Sequence, residues 1–500
     1  MAKDILKEIV EKRKTDIDRN GISFGFERPR RKRPLHPFIE SPGTILEIKR
    51  SSPSKGNIAM NLSPEGLARQ YAAAKTSAIS VLTEGNYFHG SLPDLLEAAK
   101  GAPDVALLRK DFLLYPEEID VAFDFGADAV LLIARILSDE ALLKMAGRAR
   151  ELGMTPFVEV RTEDDLRKLH LVQKEGAAVA GVNARDLKTF TMDPLIPAAF
   201  RKHLGPRAVF ESGIHSSEDA AFARKLGFEG ILAGEAVAKN PEAATGIVRA
   251  FLDAKGDRQG AFWRTLAERR EDVRRKFKGS PLVKVCGITN AKDANLAASL
   301  SADMLGFVLC KKSPRKTDEK TVCEVSRALN QRLGETRPLL VGVVAEEGST
   351  EEALAISLAR EGVLDAVQFH GYRSAAAESA SDFGFYEARN IRCEDEAETV
   401  RKRKSLSRPR TLIDAYAEDA PGGTGKRIAD KFVEIVKREN ALWLAGGISP
   451  ENIREVVECF SPELVDLSSS LEASPGKKSE EKLRAFFKNI RQISFSKDFP

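Results

Sequence analysis

Two loops of small residues recur with one spacing in the two halves of this chain, and that repetition sharply limits what it can fold into. Ser212-Gly213-Ile214 precedes Gly234, which lies 21 residues beyond Gly213; Gly446-Gly447-Ile448 precedes Ser468, 21 residues beyond Gly447. Each loop pair closes a run in which short β-branched segments alternate with longer helical ones. In the first half the strand-like segments are 44–49, 78–83, 105–110, 129–133, 156–160, 179–183, 208–212 and 230–233, separated by stretches such as 64–75, 139–152 and 162–174 that are long enough for crossover helices. The second half repeats the pattern at 282–286, 304–308, 339–343, 366–370, 383–388, 411–414, 442–445 and 464–467, its fifth segment being the weakest. Ser374–Ser381 reads as a small-residue helix within it.

The expected fold class is therefore α/β: two tandem (β/α)8 TIM barrels, which at about 250 residues each account for the 500 residues of the chain. An open doubly wound sheet is the runner-up, but no G-x-G-x-x-G follows the first strand. Ile5, Leu6, Ile9 and Val10 among Lys, Glu and Asp predict an extra amphipathic helix before the first barrel. The expected domains are 1–254, a charged helical linker over 255–280 carrying Phe262 and Trp263, and 281–500.

Composition narrows the function classes. Lys and Arg total 78 against 74 Asp and Glu, a balance of +4 spread over both halves, so nucleic acid is not expected as a partner. The basic run Arg28–Arg33, punctuated by Pro29, Pro34 and Pro37, reads as a solvated linker. All five cysteines lie in the second half without a C-x-x-C pair, which indicates neither a disulfide framework nor a zinc site and fits a reducing compartment. No uncharged apolar run approaches the ~18 residues needed to span a bilayer. The expectation is a soluble, cytoplasmic, monomeric protein with no membrane partner.

Active sites of this fold gather at the carboxyl ends of the strands. In the first half those ends carry Glu47 and Lys49, Lys110, Glu159, Asn183 and Arg185, Glu211 and Ser212, and Gly234. Each has a bland reading, Lys110 pairing with Asp111 or Glu159 with Arg185. Six polar strand ends together are another matter, because buried charge is costly unless it serves a site. Glu47-Ile48-Lys49-Arg50-Ser51-Ser52-Pro53-Ser54, Lys110-Asp111-Phe112, Pro156–Val160, Gly181–Leu187 and Glu211–Ile214 resemble indole-3-glycerol-phosphate synthase in order and spacing across residues 1–254. The resemblance implies a decarboxylating ring closure of carboxyphenylamino-deoxyribulose phosphate to indole-3-glycerol phosphate. Lys110 would be the general acid, its pKa lowered by burial and by Lys49; Glu159 the base in the dehydration; Lys49 the holder of the departing carboxylate, with Glu47 and Asn183 orienting the set. The division of labour among Lys49, Lys110, Glu47 and Glu159 stays open. Phe88, Phe112, Leu131 and Leu187 would line the aromatic slot, though singly each reads as core. Ser52, Ser212, Gly213 and Gly234 would bind phosphate, and Arg185 and Glu211 would complete the substrate site. Tyr115 departs from the polar residue expected after that loop.

In the second half, Lys284 and Cys286 share a strand face, and an adjacent cation favours thiolate. Alone, Cys286 reads as a buried inert thiol. With Gly287-Ile288-Thr289-Asn290, Gly306-Phe307-Val308, Ser313-Pro314-Arg315, Val367–Gly371, Ile413-Asp414-Ala415, Ala445–Ile448 and Asp466–Gly476, the succession resembles phosphoribosylanthranilate isomerase over 281–495. The resemblance implies an Amadori rearrangement with Asp414 as acid and Cys286 as base, Arg315 on the anthranilate carboxylate, His370 assisting, and Gly446, Gly447, Ser468 and Ser469 cradling phosphate. Pro421–Gly425 is no P-loop, since Lys426 is followed by Arg427. Ile428 and Phe369 depart from the family pattern. Neither site calls for a metal or organic cofactor, and the expected partners are small phosphorylated anthranilate-derived substrates. The rivals are another pair of phosphate-binding sugar isomerase barrels, or a fusion with one catalytically dead half.

Overall fold

In the computed structural model the described residues are 4–39, 42–52, 56–186, 191–277, 280–372, 382–402, 405–415, 428–438 and 441–493. They form two compact units, 1–256 and 257–500. The helix expected at Ser374–Ser381, the loop Pro421–Gly425 and Leu187 lie outside the described residues.

In the first unit, strands β1 (Gly43–Ile48), β2 (Ala78–Leu82), β3 (Ala106–Lys110), β4 (Ala129–Ile133), β5 (Thr155–Val160), β6 (Val179–Asn183), β7 (Val209–Glu211) and β8 (Gly230–Ala233) pair in sequence order, all parallel. The sheet closes where Gly43 to Leu46 of β1 run beside Gly230 to Ala233 of β8. Nearly every strand residue is buried, the outer face against helices and the inner face within the barrel, which is why these segments read as continuous apolar runs instead of alternating ones. Helix starts are set locally. Before helix Glu163–Glu175, for example, the Thr162 hydroxyl accepts from the Asp165 N–H at 3.2 Å and the Asp165 carboxylate accepts from the Thr162 N–H at 2.9 Å.

The chain before β1 is anchored by arginines. Arg13, buried on the helix Ile5–Asn20, meets Asp111 at 2.6 Å and also Glu118. The basic run is not a solvated linker: Arg31 and Arg33 both reach the buried Asp128 just before β4, at 2.6 and 3.2 Å, and Arg31 donates to the Ala127 carbonyl at 2.7 Å. Several cations satisfy one buried carboxylate and loose carbonyls at the barrel's amino end, a use that a charge count does not reveal.

The second unit closes the same way, with β9 (Leu282–Cys286), β10 (Met304–Val308), β11 (Leu339–Val344), β12 (Ala366–His370), β13 (Gly384–Ile391), β14 (Thr411–Ala415), β15 (Trp443–Ala445) and β16 (Leu464–Leu467) in order and β16 beside β9. The segment read as a linker is mostly a helix, Arg258–Lys276, that belongs to this unit. Its Phe262 stacks on Tyr386 at 6.3 Å, and Trp263 lies 6.0 Å from Trp443. A side chain at Gly384, the first residue of β13, would come within 2.7 Å of Phe262. Arg269 donates to the Arg337 carbonyl and Arg270 pairs with Glu463, both just ahead of strands, so the helix floors this barrel at its amino end.

Candidate active sites

At the carboxyl end of the first barrel the side chains of Glu47, Lys49, Ser52, Phe88, Lys110, Phe112, Leu131, Glu159, Asn183, Arg185, Glu211 and Ser212, with Gly213 and Gly234, line one cavity of about 930 Å³. That is every residue expected there within the described part of the chain. Lys49 Nζ lies 2.9 Å from Glu47 Oε1. Gly234 makes room for that pair, since a Cβ there would sit 2.5 Å from the Glu47 carboxylate. Lys110 Nζ stands 3.8 Å from Glu159 and 3.7 Å from Glu211, distances of ion pairing rather than hydrogen bonding. Asn183 donates to Glu159 at 3.2 Å and accepts from the Ser212 hydroxyl at 2.8 Å. Ser212 and Gly213 both have positive φ, 71° and 82°; for serine this is a strained conformation, of the kind that recurs where backbone is shaped for a ligand. The rings of Phe88 and Phe112 lie 6.1 Å apart, a contacting pair that forms one apolar wall of the cavity.

The electrostatics differ from expectation at Lys110. Burial alone would lower its pKa, but Glu211, Glu159 and Glu47 outweigh burial and raise it, so it is a firmly held cation. Lys49 is itself paired with Glu47. Burial, then the Glu159 charge, pushes Glu211 up against the pull of Lys110, and neither Glu211 oxygen has a hydrogen-bond partner among the described residues. Glu159 and Glu211 share the Lys110 ammonium, and Glu211 is held above the usual carboxylate range. Asp111, a suggested partner of Lys110, is held instead by Arg13 and Arg109, by the Thr83 hydroxyl at 2.6 Å and by the Phe112 N–H at 2.8 Å. Sequence reasoning missed Arg13, and it missed Gly181, where a Cβ would fall 2.1 Å from Glu211. The signal for the second was present as a glycine inside a strand.

In the second barrel Cys286, Arg315, His370, Asp414, Gly446, Gly447, Ser468 and Ser469 line one cavity of about 830 Å³, together with Cys310, Gln368, Asp466 and Ser470. Gly446 and Gly447 have positive φ, 84° and 66°, and the buried hydroxyls of Ser468 and Ser470 have no partner among the described residues. An anion cradle needs such unspent donors. Below the cavity Lys284, fully buried, pairs with Asp466 at 2.6 Å and donates to Gln368 at 2.9 Å, and Gln368 also accepts from the Tyr386 hydroxyl at 2.9 Å.

This pairing corrects the expectation for Cys286. Burial pushes the thiol up; Lys284 pulls it down, but Asp466 pushes it up again, and the net direction is upward. Burial and then Asp466 raise Asp414 to about 7, so a large share of its carboxyl is protonated near neutrality. His370, 3.7 Å from Asp414, is lowered by burial and by Lys284 and is therefore neutral at pH 7. The arrangement sets a protonated carboxyl and a thiol around one cavity, beside an anion cradle.

Residues 6–250 match the indole-3-glycerol phosphate synthase family, and residues 283–489 match the N-(5'-phosphoribosyl)anthranilate isomerase family. A tryptophan biosynthesis protein of Phytophthora nicotianae is 30% identical over 86% of this chain and 87% of its own length. The multifunctional tryptophan biosynthesis protein of Schizosaccharomyces pombe is 30% identical over 90% of this chain, which spans 60% of that relative's length. An indole-3-glycerol phosphate synthase of Rippkaea orientalis is 35% identical over 49% of this chain and 89% of its own. The chain belongs to the indole-3-glycerol phosphate synthase family in its first half and to the phosphoribosylanthranilate isomerase family in its second.

Proposed function

We propose that the chain catalyses two consecutive steps of tryptophan biosynthesis. The second barrel isomerises N-(5-phosphoribosyl)anthranilate to 1-(2-carboxyphenylamino)-1-deoxyribulose 5-phosphate, and the first converts that product to indole-3-glycerol phosphate with loss of carbon dioxide and water. In the isomerase, Asp414 protonates the ring oxygen as the sugar opens, and Cys286 removes the proton from carbon 2 of the sugar. Arg315 meets the aminobenzoate carboxylate, and Gly446, Gly447, Ser468 and Ser469 hold the phosphate. In the synthase, the Lys110 ammonium donates to the carbonyl oxygen as the ring carbon attacks and balances the negative charge that develops there. Lys49 holds the carboxylate until it leaves, Glu159 takes the proton in the dehydration, and Glu47 and Asn183 keep these groups in register. The aromatic ring lies against Phe88 and Phe112, with Leu131 beside it.

The observation that carries this reading is that the residues assigned as proton donor and acceptor line one cavity in each barrel mouth together with the loops assigned to phosphate. In this proposal the enzyme is cytoplasmic and monomeric and uses neither metal nor organic cofactor. No helix among the described residues is long and apolar enough to cross a membrane. The test is turnover of phosphoribosylanthranilate by the intact chain, followed by loss of substrate fluorescence and by appearance of indole-3-glycerol phosphate. The reading predicts both signals in sequence; loss of substrate without the indole product, or no loss at all, refutes it.

A further inference from the structure

The isomerase cavity has two polar ends, Arg315 for a carboxylate and the Gly446–Ser470 region for a phosphate, and one buried carboxylate outside the cavity lining ties them together. Glu472, just beyond the Ser468–Leu471 turn, receives the Arg315 guanidinium side-on: Nε lies 2.9 and 3.1 Å from the two carboxylate oxygens, and Nη2 lies 2.9 Å from Oε2. The third nitrogen, Nη1, has no partner among the described residues. The same carboxylate takes Lys478 at 3.1 Å and the Gly476 N–H at 3.3 Å. Lys478, its side chain fully buried, donates its other contact at 3.1 Å to the carbonyl of Ser468, within the phosphate turn. A Cβ on Gly287, next to Cys286, would lie 3.0 Å from Arg315 Cδ, 3.1 Å from Ser468 Oγ and 3.5 Å from Glu472 Oε1. The carboxylate-reading arginine, the turn after the thiol and the phosphate turn therefore converge on one point.

We propose that Glu472 is a positioning residue that sets Arg315 for the substrate carboxylate. The inference rests on the isomerase reading above and deepens it. A free arginine side chain samples many rotamers and loses that freedom on binding; one already clamped along its Nε edge does not, and presents its remaining N–H groups in a fixed direction. The charges are suited to the task. Arg315 and Lys478 against Glu472 leave one net positive charge buried beside a cavity that takes an anionic substrate, so the carboxylate orients the cations without cancelling their attraction. Because Glu472 is shielded from the cavity, it acts through Arg315 and not on the reacting atoms.

Isomerase kinetics of the intact chain test this. Glu472→Gln is expected to raise KM about tenfold while kcat changes by less than about threefold, the pattern of lost binding alignment rather than lost chemistry. In an Arg315→Ala background the same substitution should cost almost nothing further, because nothing remains to be positioned. Additive losses, or a fall in kcat with KM unchanged, would overturn the proposal. Glu472→Asp keeps the buried charge and shortens its reach. It should show a smaller KM rise that again disappears with Arg315→Ala, and it decides the question by the same criterion should Glu472→Gln not fold. A wild-type chain without isomerase turnover would remove the proposed function itself, whereas wild-type turnover with additive losses removes only this inference.

Discussion

The two barrel mouths use one scaffold to keep a proton available in opposite ways. In the first, the expected donor is Lys110, and the carboxylates of Glu211, Glu159 and Glu47 overcome burial and fix it as a cation. In the second, the expected donor is Asp414, and burial with the neighbouring Asp466 keeps it neutral up to about pH 7. The difference follows from what each charge faces. A buried ammonium among carboxylates is stabilised as an ion; a buried carboxyl beside another carboxylate is stabilised as an acid. Both solutions pay in desolvation, and the second is completed by Lys284, which holds Asp466 from below the cavity.

The largest test of this contrast separates the two sites. Lys110→Met is expected to lower synthase turnover by about 10²–10⁴-fold and leave isomerisation intact, and Cys286→Ser to do the converse, by the usual worth of a general acid or base. Separate assays of both steps on each variant would show it, and loss of both activities in one folded variant would break the separation. Next comes the floor of the second barrel. Trp263→Ala should destabilise the second unit by about 3–5 kcal/mol, as for a fully buried indole. A fragment 281–500, which lacks that helix, should unfold at lower denaturant than 257–500; equal midpoints would show that the helix is not part of the barrel. A smaller effect is expected from Arg31→Ala. Arg33 still holds Asp128, but the Ala127 carbonyl loses its donor, and the cost of about 1–3 kcal/mol is read as a shift in urea midpoint confined to the first unit.

The finest test is the shape of a pH profile. The active isomerase needs a proton on Asp414 and none on Cys286, while burial raises both groups. As pH rises toward 7 the thiolate fraction grows and Asp414 stays protonated, so kcat/KM should climb. Above about 7 the loss of the Asp414 proton cancels further gain, and the profile should level before falling beyond the ordinary thiol range. A profile already falling between pH 7 and 8 would reverse the order of the two groups.

Much of this was legible in the chain itself. Sixteen strands were readable because each is a short, nearly continuous apolar run bounded by helical stretches, and β13, the least regular of them, begins with a glycine that packing requires. The residues at the strand ends were readable because strand alternation alone decides which side chains face inward: Glu47 and Lys49 on one face, Lys284 and Cys286 on another. These are local properties, settled over two to eight residues.

Tertiary structure decided what charge each group bears and what holds it there. Nothing within a few residues of Cys286 shows that Lys284 is claimed by Asp466, 182 positions later, or that Arg315 leans on Glu472, 157 positions later. The basic run before the first barrel and the charged helix before the second read as spacers, because their sequence shows charge but not the buried carboxylates, carbonyls and rings they meet. Inward direction follows from the strand period, but burial and charge coupling depend on distances across a closed barrel, and only the fold brings those partners together.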